Sequence, residues 1–179
     1  MTTPRPAPPE PTPAATRRGL LFGPLAAALP LGLFSAPAAA IDRSQTQVTL
    51  PDQYHWKAWT GGPPHSAEIA MLHGSLDQPG PYVVLMKWYP GFMSAPHTYV
   101  TDRLCFVLSG TWWVNSGADF DPAGTVPVPA GGFVHRVAHT PHYDGVKHGE
   151  TSPAVIGIFG LGPVDFRLID PGKPPWRAV

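Results

Sequence analysis

The stretch Pro90-Gly91-Phe92-Met93-Ser94-Ala95-Pro96-His97-Thr98-Tyr99-Val100-Thr101-Asp102-Arg103-Leu104-Cys105-Phe106-Val107-Leu108-Ser109-Gly110 decides how this chain is read. In extended backbone, residues two apart face the same side, so His97 and Tyr99 project together. After a short bend, Arg103, Cys105 and Val107 share one face of the next strand. Ser109-Gly110 then separates two apolar runs and has the composition of a tight hairpin turn.

Working outward, the same pattern repeats. Segments 47–50, 54–59, 68–72, 82–88, 103–108, 111–115, 125–128, 133–137, 155–159 and 165–169 are rich in β-branched and aromatic residues, with Gly, Pro and Asp between them. Ten short strands without a helical period predict one all-β sandwich or barrel. Composition agrees: 25 Pro and 19 Gly in 179 residues oppose long helices, and no Gly-X-Y period points to collagen. Twelve basic and twelve acidic side chains balance, so neither a nucleic-acid nor a polybasic membrane footprint is present. A single Cys excludes an intramolecular disulfide and a Cys-built zinc site.

The first forty residues read as an address. A Pro-rich polar start leads to Arg17-Arg18, an uncharged run over 19–34, and Ser35-Ala36-Pro37-Ala38-Ala39-Ala40, which offers cleavage after Ala38 or Ala40. The arginine pair resembles a twin-arginine signal. Pro24 and Pro30 interrupt a run that is already short for a membrane span, so no stable anchor is expected. The expected organisation is a signal peptide over 1–40 and a single domain over 41–179, periplasmic or secreted. In that setting the lone Cys105 is expected to be buried.

A second histidine segment follows: Val137-Ala138-His139-Thr140-Pro141-His142-Tyr143-Asp144-Gly145, just after His135. Three His in eight residues is a metal signal of middling specificity, because imidazole is the commonest nitrogen ligand for transition metals. His55, His65, His73 and His148 lie near Gly, Pro or strand ends and read as surface or structural residues. Trp112 and Trp113 are consecutive, so one faces in and the other out. No Gly-x-Ser-x-Gly nucleophile turn and no phosphate-cradling Gly loop before a helix is present.

On these two segments the chain resembles the cupin superfamily of small β-barrel domains, over about residues 45–170. Gly91, five residues, His97 and the closing Gly110 keep the spacing of the first cupin motif. Tyr99 stands where that motif has its second His, and Arg103 where it has Glu. In the second motif His142 takes the ligand place, while Val137 and His139 replace the usual Pro and Gly. The resemblance implies a cupin-type double-stranded β-helix, a jelly-roll barrel. It also implies a divalent metal (Fe, Mn, Ni, Cu or Zn) held by His97 and His142, with Tyr99 or His139 as third partner.

The departures keep two functions open. Two neutral His bring no anionic ligand, and a guanidinium is never a ligand. One reading is an exported metal-dependent enzyme, dioxygenase- or isomerase-like, with Arg103 and Tyr99 handling a small anionic or aromatic molecule. The other is a non-catalytic binding protein in which Arg103 anchors an anionic ligand without metal. A homodimer is expected through exposed apolar segments such as 54–59.

Overall fold

The computed structural model describes residues 46–179; the expected signal segment lies outside them. Thirteen strands follow in order: β1 (Lys57–Ala58), β2 (Ala67–His73), β3 (Gly80–Trp88), β4 (Phe92–Ser94), β5 (His97–Thr98), β6 (Arg103–Ser109), β7 (Thr111–Ser116), β8 (Val126–Pro129), β9 (Phe133–Arg136), β10 (His142–Val146), β11 (Ala154–Gly162), β12 (Arg167–Leu168) and β13 (Trp176–Ala178). Short 3₁₀ turns at Pro51–Gln53 and Pro122–Gly124 are the helical elements of this region.

The strands form two antiparallel sheets. One runs β1-β2-β3-β11-β6-β9; the other runs β12-β5-β10-β4-β13, with β7 joined to β10 and β8 to β7. β7 leaves the first sheet at Gly110, whose φ of +71° supplies the left-handed turn residue that Ser109-Gly110 promised. Between the sheets, Trp88, Val107, Trp112, Val146 and Ile156 form the apolar core. Burying such side chains is the main drive for closing the barrel, at about 1.5–3 kcal/mol for each large apolar residue.

Several predicted strands shift. Residues 47–50 belong to no strand, and only Lys57–Ala58 of the 54–59 segment pairs, with β2. β4, β5, β10 and β13 were not anticipated. β10 carries Asp144-Gly145, which reads as a turn but is a wholly buried strand. Gly145 is there for close approach: a Cβ at that position would lie 2.5 Å from the Cα of Met93.

Candidate functional site: one polar cluster in an apolar cup

Alternation along β6 sends Arg103 and Cys105 into the barrel, and the short strand β5 sends His97 in beside them. β10 pairs with β5 in a register that sets His142 directly opposite His97. Tyr99 follows β5 by one residue and faces the same cavity. Four of the five sequence-predicted site residues therefore meet. The His97 and His142 ring centroids are 4.4 Å apart, and Tyr99 lies 4.9 Å from His97. The Arg103 guanidinium carbon sits 3.2 Å from the Tyr99 ring centroid, a close cation–π stack.

His139 does not join them. Its backbone is held at φ +60° and its N–H donates to the Tyr99 carbonyl at 2.8 Å. The side chain is exposed and lines no part of the cavity, which corrects the expectation that it reaches inward. His135 also stays outside: it pairs with Asp102 at 2.8 Å on the exposed face.

The cavity measures about 360 Å³, within the ordinary range for small-molecule pockets. Its walls are mainly apolar and aromatic, including Trp59, Met86, Trp88, Ile158 and Phe166. Trp112 is the inward member of its pair and donates Nε1–H to Asp144 at 3.1 Å; Trp113 turns out and donates to Glu150 at 2.8 Å.

Asp144 and Arg136 are cavity residues that sequence reasoning missed. The Asp144 carboxylate accepts from Trp112 on one oxygen and from Arg136 at 3.2 Å on the other, while its own N–H donates to Ser94 Oγ. Arg136 also donates to the carbonyls of Asn115 and Tyr143. Once 142–146 is a strand, the two-residue step from His142 to Asp144 puts both on one face, which is the signal the sequence held for Asp144.

The electrostatics follow from burial. Desolvation, helped by the neighbouring His142, holds His97 down at about 3, so its ring is neutral. Burial and then the Arg136 charge lower His142 in the same direction. Tyr99 keeps its proton, because desolvation outweighs the Arg103 charge and raises it to about 12. Burial likewise pushes the Cys105 thiol to about 12, leaving it without nucleophilic character at neutral pH. Arg103 Nε and Arg136 Nε are buried without protein partners, as is the hydroxyl of Tyr82, whose ring centroid lies 5.9 Å from the Arg103 guanidinium carbon.

This donor set does not match a divalent metal. Two neutral imidazoles are joined by a protonated phenol and a guanidinium, and the one cavity carboxylate is already committed on both oxygens. Among the described residues no group of three or more His, Cys, Asp or Glu side chains is disposed to hold an ion. The site can instead take an anion at Arg103 and an apolar ring against the walls.

No family model matches the chain, and no curated protein does. Solved structures do match its fold. The polyketide cyclase RemF from Streptomyces resistomycificus is 13% identical with a TM-score of 0.60, over 73% of this chain and 89% of that one. An RmlC-like cupin from Ralstonia eutropha is 14% identical with a TM-score of 0.54, over 75% and 76%. A cupin-2 domain protein from Rhodospirillum rubrum is 14% identical with a TM-score of 0.53, over 72% and 82%. The fold is thus the cupin-type jelly-roll barrel that the two motifs led us to expect.

Proposed function

We propose that the chain is a cupin-superfamily protein that takes a small aromatic, anionic organic molecule into its barrel, with Arg103 as the anchor. The observation that carries this reading is the buried, unpartnered Arg103 Nε at the polar end of an apolar cavity. A guanidinium satisfies a carboxylate, sulfonate or phosphate in two directions at once. The aromatic walls suit a flat ring, and the Tyr99 ring stacks on the Arg103 guanidinium. Replacing Arg103 by Gln tests it: binding of a simple aromatic carboxylate should weaken at least tenfold, and unchanged binding would end the reading.

A metal-dependent enzyme, dioxygenase- or isomerase-like, is the second reading. One observation favours it: His97 and His142 each give their Nδ1 to a backbone carbonyl, the outer bond that metal-ligating histidines usually make. Elemental mass spectrometry of untagged protein from its native compartment, beside His97→Ala and His142→Ala, decides it. Near-stoichiometric Fe, Mn, Ni, Cu or Zn lost in both variants would establish the metal.

Two further parts of the proposal concern place and partner. Residues 1–40 would direct export, which N-terminal sequencing of the exported protein checks by a start at Ala39 or Ile41. The partner would be a second copy of this chain. Leu104, Phe106, Leu108, Phe133, Phe159 and Leu161 stand on the outer face of β6, β9 and β11, each 36–53% exposed. Phe159 pairs with Leu104, Phe106 pairs with Phe133, and the latter rings are 5.0 Å apart. These six expose on the order of 500 Å², more than half of the roughly 800 Å² per partner that a stable interface buries. The six carry no charge, and a twofold pair of the same chain supplies an equally uncharged surface. In the segment 54–59 Lys87 caps Trp56 and Trp59 packs on Trp88, which favours the β6, β9 and β11 face for this contact.

A further inference from the structure

Two lone pairs in the cavity have nothing to accept from. His97 Nδ1 lies 2.7 Å from the Ala95 carbonyl, and His142 Nδ1 lies 2.9 Å from the Thr140 carbonyl. A carbonyl oxygen only accepts, so in each neutral ring the proton is on Nδ1 and Nε2 is bare. Among the described residues neither Nε2 meets a donor, and both rings line the cavity. Each ring thus presents an open acceptor to whatever enters the cavity.

The charge of the site narrows which donor that is. Arg103 and Arg136 face one carboxylate, Asp144, so the polar end is net positive and opposes an ammonium as it opposes a metal ion. A hydroxyl meets the need without charge: its proton goes to Nε2, and its oxygen remains free to accept. The cluster is compact, with His97, His142, Tyr99 and Arg103 in a chain of contacts no longer than 4.9 Å. A hydroxyl on the atom beside the group that Arg103 holds enters the same small space as the two rings.

We propose that the His97–His142 pair serves as a hydrogen-bond acceptor for a ligand hydroxyl on the carbon beside the acid group, so that the ligand is an aromatic 2-hydroxy acid. This rests on the Arg103 anchor proposed above. In this role the cupin histidines read a proton donor on the ligand, and no covalent step is required of them.

Calorimetric titration of the mature protein with phenylacetate, mandelate and α-methoxyphenylacetate tests it, in chelator and again with added divalent metal. These probes share ring and carboxylate and differ only in the substituent, H, OH or OCH3, on the carbon between them. Mandelate is expected to bind about tenfold tighter than phenylacetate, with no gain for the methoxy acid. His142→Leu should remove the preference of mandelate over phenylacetate. The acids need no mutation, so the comparison stands even where His142→Leu fails to fold. Equal binding of mandelate and phenylacetate would overturn the acceptor role while leaving the anchor. A preference that exists only with added metal would overturn it in favour of a metal centre. No binding by any of the three acids would bring down the anchor and this inference with it.

Discussion

His97 and His142 stand opposite each other across β5 and β10, rings 4.4 Å apart, each tied through Nδ1 to the carbonyl two residues before it. Both are buried neutral, and this makes stability depend on pH. An unfolded chain protonates His97 from its ordinary value of 6.5 downward, whereas the folded chain resists until about 3. Unfolding therefore takes up protons in that window. The His97 contribution is complete above about 6.5 and is lost as pH falls toward 3, at about 1.4 kcal/mol per pH unit, and His142 acts in the same direction. Urea midpoints between pH 7.5 and 5 should fall accordingly, and His97→Gln should flatten the slope. A slope equal in wild type and variant would contradict the burial account.

The Arg136–Asp144 pair is the most deeply buried ion pair of the described residues. Removing one member strands the other charge inside the barrel. Asp144→Leu should cost about 3–5 kcal/mol in denaturant unfolding, while the double change with Arg136→Met should recover most of it. Additive losses would show that the two do not act as a pair.

Cys105 is 2% exposed and its thiol is raised to about 12. A thiol-specific disulfide reagent should therefore leave native protein unlabelled for hours and label it at once in guanidinium. Rapid labelling of the native protein would place the thiol elsewhere.

Pairing through β6, β9 and β11 predicts twice the monomer mass in analytical ultracentrifugation at micromolar concentration. Phe106→Asp with Phe133→Asp should give a monomer with unchanged near-ultraviolet circular dichroism. A wild type that stays monomeric throughout would exclude a second copy on this face.

The barrel was legible because its strand residues alternate and its turns are marked by Gly and Pro; 103–108 and 111–115 match β6 and β7 within a residue. The meeting of His97, Tyr99, Arg103 and His142 was legible through spacing. β10 was not, because its residues obey the close packing of Gly145 on Met93 rather than β propensity. Asp144 was lost with it, since a carboxylate beside Gly looks like turn chemistry; Arg136 lies on β9, a strand the sequence did show, but its inward face was not assigned. His139 misled for a related reason: three histidines in eight residues look like one cluster, but the φ of +60° in the connection puts the first of the last two outside.

The measurement that tests the central claim most directly uses the tryptophans already in the cavity wall, Trp59, Trp88 and Trp112. Fluorescence of wild type and Arg103→Gln would be followed during titration with phenylacetate, with circular dichroism confirming that both are folded. A saturable change in wild type that weakens at least tenfold in the variant is the expected result. No saturable change in wild type, or the same affinity in both, would contradict an Arg103-anchored cup for aromatic acids.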